Sequence, residues 1–285
     1  MEIAAADVSL AESAVAVLMQ ELEAYPKPGL VSPRDSGAHT DMDFDLMCRS
    51  ANALRHPFAC IAAAGREGLP FAACLTRFGL RAEREMMCAT GGVNTHRGAI
   101  FTLGMLLAAM ARAESSVRLT TPEEIRAVLL ETWGDALQAH AAADGADTSH
   151  GATVRRSTGA GGARAEAARG FPGIFETGVP AYLEATASGL DSNAARIQTL
   201  FVLMESAEDS NVIFRGGTNA AKFVRRSAAE FLAGGGCSAD GWFARAEGLH
   251  REFIRRNLSP GGCADLLSGT LLVAGIDPAP VSASN

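Results

Sequence analysis

Helix-start patterns recur along this sequence, whereas patterns typical of β-strands are nearly absent. Residues 121–124 (TPEE) combine a capping box with a proline at the first helical position. Ser9 and Glu12 have the same capping-box spacing, within apolar residues that follow a helical period. No run of alternating β-branched or aromatic residues is bounded by hairpin turns, and only 6% of the residues are aromatic. The sequence therefore predicts an all-α fold of about ten helices.

The longest apolar run covers residues 100–111, about a dozen residues, whereas a membrane-spanning helix needs about twenty. We therefore expect a buried core helix there and no membrane partner. The N-terminal residues lack the basic start and the long apolar run of a signal peptide. The six cysteines include no C-x-x-C pair, and we interpret them as buried free thiols in a reducing compartment. Together these features predict a cytoplasmic protein.

Size and charge narrow the class of protein further. The chain has 285 residues, and no linker separates two apolar regions, so we predict a single globular all-α catalytic domain over residues 1–285. The formal net charge is −7, whereas a nucleic-acid binder usually carries a basic patch. We therefore expect no nucleic-acid partner.

Five long polar, glycine-rich segments interrupt the helical pattern, and each leads into a predicted helix start. They cover residues 26–41, 90–97, 144–162, 209–218 and 259–262. Helix N-termini offer free backbone N–H groups and a positive dipole end, which suit anions. We predict that these loops form one site for a phosphorylated ligand. The alternative is that they are ordinary polar connections between helices.

The first polar segment combines cations and carboxylates. Lys27 and Arg34 supply positive charge, and Asp41 and Asp43 follow at alternate positions. The carboxylates have two interpretations: they cap the next helix, or they bind Mg²⁺, which takes one or two carboxylates together with the phosphates of its ligand. His39 beside them is either a base or a loop histidine.

The later segments carry further polar residues at helix starts. Asn94 or Thr95 can cap a helix, but the adjoining His96 and Arg97 are more polar than the start of a core helix requires. Residues 144–172 are rich in glycine and arginine, so they predict either a mobile loop that surrounds anions or a plain surface loop. No G-x-x-x-x-G-K-[ST] phosphate loop occurs in the sequence.

Taken in order, these segments resemble one known family. The strings that carry the resemblance are "PKPGLVSPRDSGAHTDMDFD", "GVNTHRGAIF", "SHGATVRR" with "GARAEAARGFP", "SNVIFRGG" and "SPGGCADLL". They are similar to the triphosphoribosyl-dephospho-CoA synthase family, which serves citrate lyase and malonate decarboxylase, over about residues 21–267. The stretch "TSHGATVRRSTGAGGARAEAARGFP" is more similar to the malonate decarboxylase branch.

The resemblance implies an all-α enzyme that uses ATP, with Mg²⁺, and 3'-dephospho-CoA. The ribose of ATP, with its triphosphate, would be joined to a ribose hydroxyl of dephospho-CoA, and adenine would leave. The product would pass to a phosphoribosyl transferase that acts on an acyl-carrier protein. A homodimer is compatible with the resemblance.

The resemblance also implies roles for particular residues of this sequence. The catalytic group would be His39, Asp41, Asp43 and Glu166. The substrate-binding group would be Lys27, Arg34, Asn94, Thr95, His96, His150, Arg155, Arg156, Arg164, Asn211 and Arg215. The metal ligands would be Glu21, Asp41, Asp43, Asp209 and Asp265. Two positions depart from the family pattern, because Ser210 replaces a threonine and Cys263 replaces a serine.

Two other functions agree with the residues alone. A Mg²⁺-dependent all-α enzyme similar to an ADP-ribosyl hydrolase would use water in place of the hydroxyl of dephospho-CoA. A non-enzymatic helical nucleotide-binding protein would retain ATP unchanged. The non-enzymatic alternative does not explain the cluster of carboxylates, which a binding scaffold does not need.

Overall fold

The computed structural model describes residues 1–116, 121–143 and 162–275. Within these ranges there are twelve α-helices and no strand, so the predicted all-α fold is confirmed. The helices are α1 (Ala5–Glu23), α2 (Phe44–Ala53), α3 (Arg55–Arg66), α4 (Phe78–Ala89), α5 (Arg97–Ser116), α6 (Pro122–Ala142), α7 (Gly162–Ala168), α8 (Val179–Ala187), α9 (Ser192–Ser206), α10 (Ser210–Ala233), α11 (Trp242–Arg255) and α12 (Gly261–Ala274). Single π-helical turns precede α4 and α8, at Ala72–Arg77 and Gly173–Gly178.

The helix starts follow local capping chemistry. At α6, Glu124 N donates to Thr121 Oγ1 (3.2 Å), and Thr121 N donates to Glu124 Oε2 (2.8 Å), so the predicted capping box is confirmed. The capping box predicted at Ser9 is wrong. Helix α1 begins at Ala5, where the carboxylate of Asp7 accepts from Ala4 N at 2.9 Å, and Ser9 lies inside the helix. Asp7 satisfies the free N-terminal donor one turn earlier than the sequence pattern suggested.

Small residues let the central helices approach closely. Gly65 on α3 faces Ala108 on α5, and a Cβ atom at position 65 would collide with the backbone of Ala108. Gly269 on α12 makes a similar close approach, because a Cβ atom there would collide with the side chain of Ile174 in the π-helical turn Gly173–Gly178. The run at residues 100–111 is part of α5 and is a buried core helix, as predicted.

The apolar core joins both ends of the chain. One hydrophobic cluster includes Leu18 of α1, Leu106 of α5, Phe201 of α9 and Leu267 of α12, each fully buried or nearly so. Because α5 and α12 pack on each other and on α1, the beginnings of α5 and α12 are held next to the end of α1. That is the region where the polar segments meet.

The connection from α1 to α2 is ordered by contacts with distant helices. His250 on α11 has Nδ1 2.6 Å from Lys27 O and Nε2 3.0 Å from Asp35 Oδ1. Asn193 at the start of α9 donates to Tyr25 O at 2.7 Å. Gly29 has φ of +69°, and a Cβ atom there would collide with Leu258 O. Residues 26–32 are therefore buried in the protein, unlike an ordinary surface loop.

The cysteines agree only in part with the predicted buried free thiols. Cys60, Cys237 and Cys263 are buried free thiols, whereas the free thiol of Cys48 is half-buried and that of Cys88 is exposed, so the predicted burial is wrong for these two. Of the helices in the described ranges, none combines the length and the apolar character required to cross a membrane.

Candidate active site

A cavity of about 220 Å³ lies where the end of α1 meets the first turns of α5, α10 and α12. Its apolar wall comes from Leu18, Leu22, Leu30 and Met47. Its polar lining residues are Glu21, Lys27, His39, Asp41, Asn94, Thr95, His96, Arg97, Asn211, Arg215, Ser259, Asp265 and Ser268. Polar residues from four of the five segments predicted from the sequence thus line one cavity. The segment at 144–162 lies almost wholly outside the described residues.

Three helix N-termini converge on this cavity. Gly98 in the first turn of α5 contacts Asp265, which lies one turn into α12, and a Cβ atom at position 98 would overlap the carboxylate. Gly261 at the start of α12 lies against α10, where a Cβ atom would be 2.9 Å from Asn211 Nδ2. Each N-terminus has a partial positive charge. Some of its backbone N–H groups are already paired, because Asp209 accepts from α10 and α12 and Asn94 Oδ1 accepts from Arg97 N at 3.3 Å. The arrangement is suited to a ligand with several negative charges.

Asp209 fixes the start of α10 to the start of α12. Its buried carboxylate accepts from Asn211 N (2.8 Å), Val212 N (3.2 Å) and Cys263 N (2.9 Å). Burial raises the pKa of Asp209, and the three backbone N–H groups oppose that rise because they stabilise the carboxylate. Asp209 does not line the cavity, so this geometry explains it as a cap; the metal-ligand role stays a prediction.

Lys27 and Glu21 form a buried ion pair at the cavity wall. Lys27 is 1% exposed, and its Nζ donates to Glu21 Oε1 at 2.6 Å and to Glu21 O at 2.7 Å. Burial lowers the pKa of Lys27, and the charge of Glu21 opposes that change. The cation is therefore tied to its own helix and adds positive potential to the cavity.

Two histidines border the cavity, and both have lowered pKa values. His39 Nε2 lies 2.8 Å from Ser259 Oγ, and Arg215 Nη2 donates to His39 Nδ1 at 3.1 Å. Burial, and then the charge of Arg215, lower the pKa of His39. His96 is 4% exposed; burial, and then the charge of Lys27, lower its pKa to about 4. His96 is therefore neutral near pH 7.

Asp265 is a buried carboxylate that lines the cavity without a partner for its negative charge among the described residues. In the described part of the chain it has no hydrogen-bond or ion-pair partner, although it lines the cavity. Burial, and then the charges of Asp209 and Glu21, raise its pKa well above the usual range. Because a buried carboxylate without partners is costly, Asp265 is the group in this cavity most in need of a cation.

Several residues predicted from the sequence lie away from the cavity lining. Arg34 is exposed and stacks over the ring of Tyr25 at 5.0 Å. Asp43 caps α2, where Leu46 N donates to its Oδ1 at 2.8 Å. Glu166 accepts from Gly173 N at 2.9 Å and pairs with Arg169 at 2.7 Å.

Arg164 lies on α7, whose first residue contacts Ser210 at the start of α10. His150, Arg155 and Arg156 fall outside the described residues.

Comparison with known proteins adds an independent observation. The family model described as ATP:dephospho-CoA triphosphoribosyl transferase matches residues 7–282. The chain belongs to this family. It is therefore a transferase, and the resemblance inferred from its motifs is confirmed.

Curated relatives of this transferase match most of its length. A protein of Acinetobacter calcoaceticus is 37% identical over 260 residues, which cover 91% of this chain and 88% of the relative. A protein of Stutzerimonas stutzeri is 39% identical over 274 residues, which cover 95% and 92%. Both are named "Probable 2-(5''-triphosphoribosyl)-3'-dephosphocoenzyme-A synthase". No solved structure matches the chain.

The transferase has no complete metal site of its own among the residues described. No group of three or more His, Cys, Asp or Glu side chains there could hold a metal ion. Mg²⁺ in nucleotide sites is commonly held by one or two carboxylates and the phosphates of the substrate. Asp265, with Glu21 near enough to raise its pKa, fits that manner of binding.

Proposed function

We propose that this transferase moves the 5-triphosphoribosyl group of ATP to a ribose hydroxyl of 3'-dephospho-CoA and releases adenine. The observation that carries the proposal is the uncompensated carboxylate of Asp265, which faces the same cavity as three helix N-termini, Lys27 and Arg215. The N-termini and the cations suit a triphosphate, and the carboxylate suits a developing positive charge.

The reaction needs such a combination of charges. As the bond from the ribose carbon to adenine breaks, positive charge develops on the ribose, as it does in the cleavage of a glycoside. Asp265 lies in the cavity, where a carboxylate can stabilise that charge. The triphosphate is a binding group that stays intact. The chemistry therefore requires no phosphate-transfer loop, and the sequence contains none.

We propose that ATP binds with Mg²⁺, held by Asp265 and the triphosphate, with Glu21 and Asp41 nearby on the cavity lining. The ion, when bound, would neutralise part of the triphosphate charge. The guanidinium of Arg215 is held in place, because its Nη1 donates to Ala38 O and to Asn257 Oδ1, each at 2.9 Å. Arg215 lines the cavity, and we propose that it binds the same triphosphate. A fixed guanidinium loses little entropy when it binds phosphate.

We further propose that the product serves malonate decarboxylase and that a phosphoribosyl transferase receives it for an acyl-carrier protein. Support comes from the sequence of residues 148–172, which is more similar to that branch. The cytoplasm remains the proposed location, and a homodimer is compatible with the proposal. Incubating the product with a phosphoribosyl transferase and the acyl-carrier protein of each pathway tests the branch, because attachment to the citrate lyase carrier alone would contradict it.

The central experiment is mass spectrometry of the transferase with ATP, Mg²⁺ and dephospho-CoA. We expect adenine and the triphosphoribosyl adduct to form in equal amounts, and no adenine to form when dephospho-CoA is omitted. Adenine release without the acceptor would instead indicate a hydrolase, and unchanged ATP would indicate a binding protein. Asp265→Asn should abolish the product. Asp240→Asn is the control, because Asp240 is exposed and is not one of the residues that line the cavity.

A further inference from the structure

A buried hydroxyl connects two of the residues that line the cavity. Ser50 on α2 is 0% exposed, and its Oγ lies 2.6 Å from Thr95 Oγ1 and 2.7 Å from His96 Nδ1. Ser50 itself does not line the cavity, and it lies outside the strings that resemble the family. Its position, between two cavity residues 45 and 46 positions away in sequence, is therefore unexplained by the motif.

The hydrogens on the side chains of Thr95, Ser50 and His96 can be arranged in two ways, because each hydroxyl donates once and a neutral imidazole has one N–H. In the first arrangement, His96 Nδ1–H donates to Ser50, Ser50 donates to Thr95, and Nε2 carries a lone pair. In the second, Thr95 donates to Ser50, Ser50 donates to Nδ1, and Nε2 carries the hydrogen. Both arrangements make every hydrogen bond between these three side chains.

The other ring nitrogen of His96 is free for a ligand. Its Nδ1 is engaged by Ser50, the side chain is 4% exposed, and the residue lines the cavity. Within the described ranges, Nε2 has no hydrogen-bond partner and is not fully enclosed. A buried imidazole held at one nitrogen and open at the other is typical of a general acid or base.

We propose that Thr95, Ser50 and His96 form a hydroxyl relay, in which His96 Nε2 takes the proton from the attacking hydroxyl of the acceptor and Ser50 positions the ring. The inference rests on the proposed function. The O–H bond of the acceptor breaks as its oxygen bonds to the ribose carbon, and the proton goes to Nε2. The ribose–adenine bond breaks, its electron pair leaves with adenine, and adenine takes the proton from His96. No other reactant is needed.

The relay explains how a neutral histidine can accept the proton of the acceptor hydroxyl and then pass it to adenine. The first arrangement is required for the base, since it leaves a lone pair on Nε2. The imidazolium that forms then keeps its Nδ1–H bonded to Ser50 Oγ, which stabilises the charged ring inside a buried site. The charge of Lys27 and the burial that hold the pKa of His96 near 4 keep the ring neutral until the hydroxyl arrives.

The variant Ser50→Ala tests the relay directly. Since general acid–base catalysis contributes about 10²–10⁴-fold, a ring that has lost its orienting partner should lower kcat by about 10- to 100-fold. The KM values for ATP and dephospho-CoA should change less than about threefold, because Ser50 does not reach the cavity. Ser227→Ala is the matched control: Ser227 is also a buried helical serine and lies outside the cavity lining. It should retain the wild-type kcat.

A second measurement keeps the inference separate from the proposed function. The ¹⁵N chemical shifts of the His96 ring report which nitrogen carries the hydrogen, and Ser50→Ala should change them in the protein without any substrate. If the wild type makes no adduct but this change occurs, the proposed reaction fails and the relay stands as a structural device without the proton transfer. Unchanged ring shifts, together with a kcat within twofold of wild type, would overturn the relay.

Thr95→Val covers the case in which Ser50→Ala does not fold. Valine has nearly the volume of threonine but no hydroxyl, so the variant should lose some stability with the hydrogen bond to Ser50. Because Thr95 is only partly buried, the fold should persist. Removing the Thr95 hydroxyl takes away the hydrogen-bond partner of Ser50 but leaves Ser50 bonded to His96. We therefore expect kcat to fall by about three- to tenfold, less than in Ser50→Ala. A kcat equal to wild type in Thr95→Val would remove Thr95 from the relay and contradict the proposal.

Discussion

The carboxylate of Asp265, one turn into α12, lies directly against Gly98 in the first turn of α5, at the wall of the cavity. A side chain at position 98 would occupy the space that the carboxylate now fills. The glycine is therefore required by a close approach and not by backbone conformation. This contact connects the "GVNTHRGAIF" string with the "SPGGCADLL" string, which are far apart in sequence.

We predict that Gly98→Ala inactivates the enzyme with little loss of stability. The atom that must move is the end of a flexible side chain, so Asp265 can rotate away while the helices keep their positions. We expect turnover to fall by at least about 100-fold, similar to the loss of one transition-state charge partner. Adduct formation by mass spectrometry and the Tm measure the two effects.

Gly79→Ala is the matched control for this substitution. Gly79 also lies in the first turn of a helix, α4, and a Cβ atom there would meet nothing within 4 Å. Alanine in place of glycine in a helix stabilises by about 0.5–1 kcal/mol, so this variant should be slightly more stable and fully active. An active Gly98→Ala enzyme would show that the position of Asp265 does not matter.

We predict that His96 makes the folded state sensitive to acid. Its pKa is lowered to about 4 in the folded protein and is about 6.5 in the unfolded chain. The unfolded state therefore binds the proton first as pH falls, and stability present above pH 6.5 is lost down to pH 4. Between pH 7 and pH 5 this loss is about 2 kcal/mol.

His96→Gln should remove that part of the pH dependence. Urea unfolding at pH 7 and pH 5 measures the free energy of unfolding of both proteins, and the wild type should lose about 2 kcal/mol more than the variant. His56→Gln is the control, because His56 is exposed, and it should lose as much as the wild type. Equal losses in wild type and His96→Gln would show that His96 is not held neutral.

We predict that Lys27 and Glu21 stabilise the protein only as a pair. Lys27→Met leaves the carboxylate of Glu21 buried without its cation, which should cost about 3–5 kcal/mol of unfolding free energy. Adding Glu21→Gln should recover most of this loss. The partly exposed pair of Arg81 and Glu85 is the comparison, and Glu85→Gln should change stability by less than about 1 kcal/mol. No recovery in the double variant would contradict the buried-pair explanation.

The fold and much of the cavity lining follow from local sequence patterns. The start of α6 is encoded in four consecutive residues, and the polarity of Asn94, Thr95 and His96 at the start of an apolar helix indicates a site from the sequence alone. Family motifs then place Lys27 and Asp265 with them. Local chemistry and motif strings are both short-range information, which a sequence displays directly.

Ser50 could not be predicted in this way. It lies inside α2, in no motif, and its role depends on α2 packing so that one hydroxyl reaches both Thr95 and His96. The same limit applies to Asp41 and Asp43, which are equivalent in sequence. Only the structure separates them, because one lines the cavity and the other caps α2.

We predict that Asp41 and Asp43 respond differently to the same substitution. Asp41 is exposed at the cavity mouth, where its Oδ1 lies 3.6 Å from His39 Nδ1. Asp41→Asn removes a negative charge beside the site, and turnover should fall about tenfold or more if Asp41 approaches the metal or the ribose, as we propose. Asp43→Asn should keep near-normal turnover and stability, since asparagine caps a helix about as well as aspartate.

The capping role of Asp43 has its own test. Asp43→Ala removes the acceptor for Leu46 N and should lower the free energy of unfolding by about 1 kcal/mol, whereas Asp43→Asn should not. Measuring turnover with saturating Mg²⁺ and stability in urea for all three variants separates the roles. A large loss of turnover in Asp43→Asn, with unchanged stability, would mean that Asp43 reaches the substrate in the working enzyme. The catalytic and metal-binding roles implied by the family resemblance would then hold for both aspartates.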